Sequence, residues 1–272
     1  MKKLFISFVL VINISCSEDT IHYDAREIAN NSLIVDTHID APHKINLLNK
    51  DGKEIHDLGK ETDTEFDYPK AVRGGLNLAF MSIYLPAETQ ENKTSFTEAN
   101  QLIDLVNDLI TLNPDKFLFT KSVKDLNSLS KSNKVGLALG MENGAPIEGS
   151  LERVQFFYDK GVRYITLTHS KSNHISDSSY DKNYQWNGLS DFGKELILEM
   201  NNVGIMVDIS HVSDEAFYQA IDISKVPVIA SHSSLRYFTP GFERNVSDDM
   251  LKKLASRGGV IQINFGSTFI SE

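Results

Sequence analysis

The chain has 272 residues, 41% hydrophobic and 24% charged, enough apolar material for one large domain and not a composition of wholesale disorder. Its formal net charge of −10 at pH 7 disfavours nucleic acid and anionic surfaces as partners. The single cysteine excludes an internal disulfide, so core packing alone must hold the fold.

The first sixteen residues stand apart. Lys2 and Lys3 precede an apolar run, Leu4 to Ile14, that is too short to span a bilayer and suits the h-region of a signal peptide. The run ends at Ser15-Cys16, which resembles a bacterial lipoprotein signal in which the cysteine is lipidated and becomes the mature N-terminus. Asn13 departs from that pattern, where an aliphatic residue is usual, and a plain secretory signal is the alternative. Residues 1–16 are therefore expected to be a leader and 17–272 the catalytic domain. Removing the leader takes away two lysines and no acids, and makes the chain more acidic still.

From Leu33 onward, short continuous apolar runs recur: Leu33 to Val35, Leu76 to Leu85, Val135 to Leu139, Val162 to Leu167, Val203 to Ile209, Val226 to Ala230 and Gly259 to Phe265. Continuous rather than alternating runs read as strands buried on both faces, the habit of parallel sheets under helices. Between them lie segments of helical spacing at Thr97 to Leu112, Leu151 to Asp159, Phe192 to Asn201, Asp214 to Ile221 and Asp248 to Ala255. Ser213-Asp214-Glu215 and Ser247-Asp248-Asp249 place capping side chains and acids at helix starts. Glycines 161, 204 and 258 close helices before the next strand. The polar stretch from Asn49 to Thr64 reads as a loop. Strand then helix, repeated, means a parallel sheet with right-handed crossovers, either open and doubly wound or closed as a barrel. No GxGxxG or Walker A sequence points to a nucleotide crevice.

In such folds chemistry sits at the carboxyl ends of the strands. Most of these ends carry metal-ligand side chains: His38 and Asp40, Glu142 after Gly140-Met141, His169 after Thr168, His211 after Asp208-Ile209-Ser210, and His232 after Ser231. A lone histidine at a strand end is usually structural, and His22, His43, His56 and His174 are read that way. Five such ends are different, because a barrel brings them together, and converging imidazoles and carboxylates repel or stay unpaired unless a cation joins them. The two-residue spacing of His38 and Asp40 lets both side chains reach one ion from a strand. Imidazole and carboxylate without cysteine suit Zn²⁺, with Mn²⁺, Co²⁺ or Fe²⁺ as alternatives. Five ligands exceed the needs of one tetrahedral ion. Two ions about 3.5–4 Å apart, bridged by Glu142 and activating a bridging water to hydroxide, use them better.

The order His38-x-Asp40, Gly140-Met141-Glu142, Thr168-His169, Asp208-Ile209-Ser210-His211 and Ser231-His232-Ser233-Ser234 resembles the membrane (renal-type) dipeptidases, peptidase family M19. Gly188-Leu189-Ser190-Asp191-Phe192-Gly193 and Arg244-Asn245-Val246-Ser247-Asp248-Asp249 look like the same family, so the likeness runs from about Leu33 to Phe265. The resemblance implies a TIM-type (β/α)8 barrel holding two zinc ions, bridged by Glu142, that cleaves dipeptides. His38 and Asp40 would hold one ion and His211 and His232 the other. His169 would face the substrate and steady the tetrahedral oxyanion, and Arg244 would grip the substrate's C-terminal carboxylate.

Two departures qualify it. Asn143 stands where the family usually has Gly, a mild change because Asn tolerates left-handed backbone. The family also has a further strand ending in a Gly-Ser-Asp-Phe-Asp-Gly type sequence, whose first Asp shuttles protons, and no such sequence precedes Glu272. The expectation is a C-terminally truncated member with about seven strands, two open strand edges, and without acid–base help worth roughly 10²–10⁴ in rate. The expected partners are a dipeptide and a membrane reached through a lipid on Cys16, with a homodimer left open. The expected location is the cell envelope, facing periplasm or exterior. Other readings are a hydrolase of the amidohydrolase type, which the His-x-Asp and Glu bridge disfavour, and a metal-binding lipoprotein without turnover.

Overall fold

A computed structural model describes residues 24–50 and 57–271 of the chain. The leader expected at residues 1–16, with Cys16, lies outside the described residues, as do His22 and His56. Among the described residues no helix is long and apolar enough to cross a membrane.

Eight parallel strands form one sheet: β1 (Ile34–Ile39), β2 (Leu76–Tyr84), β3 (Phe117–Phe119), β4 (Val135–Glu142), β5 (Val162–Thr166), β6 (Met206–Asp208), β7 (Ile229–Ser233) and β8 (Val260–Ile263). Seven of them follow one another in the order β1-β2-β4-β5-β6-β7-β8, while β3 pairs with the first half of β4. The sheet curls so far that the Thr37 hydroxyl on β1 donates to the Ser231 carbonyl on β7. The result is a nearly closed barrel with helices between its strands, the closed alternative of the two topologies that strand–helix repetition allows.

All five helices expected from the sequence are present, at Ser95–Leu112, Glu152–Lys160, Asp191–Val203, Asp214–Ile223 and Asp248–Ser256. Their starts are capped as the sequence suggests: the hydroxyl of Ser190 accepts from Gly193 N–H, Ser213 from Ala216 and Ser247 from Met250. Gly161 and Gly204 end two of them in left-handed backbone, at φ of 108° and 96°. The three-residue β3 is an addition to the expected strands, so Gly140-Met141-Glu142 ends the fourth strand and not the third. Helices Ala41–Lys50 and Tyr68–Gly74 are also additions, and the first takes the opening residues of the expected Asn49–Thr64 loop.

The core has two compartments. Met81, Ile83, Leu139, Met141, Ile165 and Val207 point outward from the strands into the main cluster under the helices. Alternate residues point inward: Leu78, Phe80, Ala138 and Tyr164 fill the barrel itself. This two-residue alternation carries Glu142 to the inward face, above Ala138 and Gly140. A buried apolar floor with carboxylate and imidazole groups at its carboxyl rim is the setting of the site.

Candidate metal centre

Glu142 lies at the centre of the rim, 3% exposed, and its two oxygens face different partners. Oε2 is 3.4 Å from His38 Nε2, which in turn lies 3.3 Å from Asp40 Oδ1. Oε1 is 3.0 Å from His211 Nε2 and 3.1 Å from His232 Nε2. His169 Nε2 stands farther off, at 3.6 Å from the same oxygen. All five ligand-type residues expected from the sequence therefore meet in one place, with His169 beside them. The tightest groupings of ligand atoms are His38, Glu142 and His232, and Glu142, His169 and His211. The His38 and His232 rings stack at 3.6 Å.

The donor set fits divalent cations. His211 Nε2 and His232 Nε2 face each other at 2.9 Å, two ring nitrogens sharing one carboxylate oxygen. His232 donates Nδ1–H to Ser231 Oγ at 2.7 Å, because that hydroxyl gives its own proton to Asp208 Oδ2 at 2.6 Å. The lone pair of His232 must then lie on Nε2, aimed at the centre, an orienting arrangement common around metals. Asp208 is fully buried and takes three further donors: the Thr166 hydroxyl and the Ser210 and Ser231 amides.

The charges behave accordingly. Burial opposes a proton on His38, but the facing carboxylates of Glu142 and Asp40 outweigh it and push the imidazole up to about 10. Burial, with Arg244 nearby, holds His211 well below the ordinary range, and burial beside His38 lowers His232 to about 4. Burial works against the Glu142 anion, yet the imidazoles around it, His38 first, hold its carboxyl well below the usual range. The site is a pair of carboxylates among imidazoles, with His211 and His232 kept neutral by burial, a donor set that suits a cation.

His211 adopts left-handed backbone, at φ of 72°. Its carbonyl accepts from the amide and hydroxyl of Ser179, which ties down the long loop after β5. Asn143 is also left-handed, at φ of 78°, which Asn tolerates as expected. Its side chain is fully buried, donating to Leu85 O and Gln90 Oε1 and accepting from Ala145 N and Asn173 Nδ2. Asn143 thus joins the end of β4 to the loop that carries His169.

Arg244 is 3% exposed. Nη1 donates to Ser233 Oγ and Nη2 to the His232 carbonyl, each at 2.7 Å, while Nε has no partner among the described residues. Its neighbour Asn245 fixes the segment, accepting from Ser234 N. Arg244, Tyr84, Tyr180 and His169 line a cavity of about 440 Å³ over Glu142. Tyr84, Tyr164, Tyr180 and Asp208 belong to this neighbourhood without having been singled out as site residues. Asp208 offered the one sequence signal, an acid three residues before a ligand histidine. Of the histidines read as structural, His43 packs edge-on to Tyr84 and His174 lies against Phe192, away from the centre.

Known proteins resemble this chain in sequence and in fold. The model of the membrane dipeptidases, peptidase family M19, matches residues 23–272. An uncharacterised dipeptidase of Schizosaccharomyces pombe is 35% identical over 258 residues, 90% of this chain and 62% of that protein. Dipeptidase 3 of Rattus norvegicus is 30% identical over 234 residues, 85% of this chain and 47% of that protein. The chain thus spans about half to three-fifths of the length of these curated relatives. Among solved structures, an amidohydrolase from Pseudomonas aeruginosa is 26% identical, with a TM-score of 0.71 over 87% of this chain and 63% of that one. A metallo peptidase from Rhodobacter sphaeroides, liganded with a phosphinate mimic of the dipeptide L-Ala-D-Ala, shares the fold at a TM-score of 0.78 and 19% identity, covering 88% of this chain and 76% of that one.

Proposed function

This chain belongs to the membrane dipeptidase family, peptidase family M19, and on that premise we propose that the whole protein is a zinc-dependent dipeptidase. One observation carries the reading: the two oxygens of Glu142 face separate ligand pairs, His38 with Asp40 and His211 with His232. In the proposed enzyme each pair, together with Glu142, would hold one zinc ion. Bound there, paired divalent ions polarise a carbonyl and lower the pKa of water.

The chain's own groups supply the rest. Arg244, fixed at Ser233 and His232, presents a cation to the cavity and suits the C-terminal carboxylate of a dipeptide. His169 faces the same cavity, kept neutral by burial, and can donate a hydrogen bond to an oxyanion growing at the scissile carbon. The cavity of about 440 Å³ has room for a substrate of two residues.

The reading of residues 1–16 as a lipoprotein leader would tether the enzyme by Cys16 to a membrane of the cell envelope. Incorporation of radiolabelled palmitate that is lost in Cys16→Ser tests that tether. Release of free amino acids from a dipeptide panel by the full-length, zinc-loaded protein tests the activity. No release above the buffer rate from any member of the panel would sink the proposal.

A further inference from the structure

Tyr164 lies on β5 inside the barrel, fully buried among Leu78, Phe80 and Ala138. The apolar run around it asks only for an apolar side chain, and a phenylalanine would fill that space. A buried hydroxyl is costly unless it is bonded, and this one is bonded at both ends. It donates to the Thr37 carbonyl at 2.9 Å, and its oxygen lies 3.1 Å from His38 Nδ1. A phenol has one proton to give, and here the carbonyl takes it. The oxygen is left to accept Nδ1–H from His38. That bond keeps a proton on Nδ1, so Nε2, which faces Asp40 and Glu142, is the nitrogen that would give its lone pair to an ion.

Gly140 makes the reach possible. It is paired beside Tyr164 across β4 and β5. A Cβ at Gly140 would stand 1.9 Å from the Tyr164 Cζ and 2.4 Å from the hydroxyl oxygen. The Tyr164 ring therefore occupies the space that any other residue at 140 would fill.

We infer that Tyr164, seated over Gly140, is a positioning residue for the ion that His38 would hold, with its hydroxyl setting the tautomer and aim of that imidazole. His232 is oriented by a different device, Ser231 with Asp208, so the two halves of the centre are separable. The inference rests on the proposed two-ion reading and adds a residue to it.

The test uses the full-length protein and Zn²⁺, with binding followed by competition against a chromophoric chelator. His38→Ala and His232→Ala assign the two binding steps. Tyr164→Phe, which keeps the ring and its packing, is expected to weaken the step lost in His38→Ala by about 10–100-fold, the usual scale for removing such a partner. The other step should stay as in wild type, and the zinc-free protein should still fold cooperatively, with a lower thermal midpoint because Thr37 O and His38 Nδ1 lose a buried partner. Gly140→Ala should weaken the same step although the hydroxyl is retained. Tyr164→Phe binding both equivalents like wild type, or losing both equally, would overturn the inference while leaving the two-ion reading intact. Wild-type protein that takes up no zinc would overturn that reading and this inference with it.

Discussion

His211 Nε2 and His232 Nε2 face each other at 2.9 Å across the Oε1 atom of Glu142. Ser231 and Asp208 leave His232 with its lone pair on that side, so the contact needs a proton or a cation between the rings. Among the described residues His211 Nδ1 has no hydrogen-bond partner to fix its tautomer. Ser231→Ala should therefore free the His232 ring and weaken the second zinc ion by roughly 10–100-fold. Asp208→Asn would do the same and also leave a buried donor facing donors, costing about 1–3 kcal/mol of stability. Chelator competition and urea unfolding read the two effects; an unchanged zinc affinity in Ser231→Ala would refute the orienting role.

Arg244 is held by Ser233 and the His232 carbonyl, and its buried cation lines the cavity. Arg244→Met is expected to lower kcat/KM for dipeptides about a hundredfold or more, mainly through KM, as removing a buried charge partner costs about 2–5 kcal/mol. Dipeptides with an amidated C-terminus should be poor substrates for both proteins and show little difference between them. An equal loss on free-acid and amidated substrates would exclude recognition of the carboxylate by Arg244.

Much of this site was legible in the sequence because its residues sit at strand ends, and a barrel gathers strand ends whatever the loops do. His38, Asp40, Glu142, His211 and His232 announce themselves by residue type. Tyr164 does not, because inside Val162 to Leu167 it reads as core and its partner His38 is 126 positions away. The glycine at 140 was visible, but the ring that needs its space was not. β3 escaped notice because three residues, Phe117 to Phe119, make too short a run to stand out. Helix Tyr68–Gly74 starts at an Asp cap with proline in its first turn, a signal that is weak beside the apolar runs.

Asn143 separates two needs, left-handed backbone and a four-partner side chain. Asn143→Gly keeps the first and loses the second. Asn143→Ala loses both and should be the less stable of the two by about 1–2 kcal/mol, the cost of left-handed backbone for a residue with a Cβ. Denaturant midpoints of the two variants decide this; an alanine variant as stable as the glycine one would show that the backbone at 143 is not strained.

Asp67 caps helix Tyr68–Gly74, pairs with Lys70 and accepts from Thr62 N. Burial opposes its charge, but Lys70 and the amides prevail and hold its carboxyl at about 2, against 3.8 when unfolded. A lowered folded pKa stabilises above the unfolded value and is lost as pH falls through the folded one. Asp67→Asn should therefore cost about 2 kcal/mol at pH 7, and the difference from wild type should shrink between about pH 4 and pH 2. Urea unfolding at several pH values reads it; a difference that stays constant down to pH 2 would rule out the ionised carboxylate as its source.

The most direct measurement is the zinc content of purified full-length protein and of its Glu142→Gln variant, by elemental analysis after dialysis. Wild type should retain about two ions per chain, as a carboxylate-bridged pair requires, and the variant should lose both together, since each oxygen of Glu142 faces one ligand pair. A wild type without bound metal, or a Glu142→Gln variant that keeps both ions, would contradict the bridge.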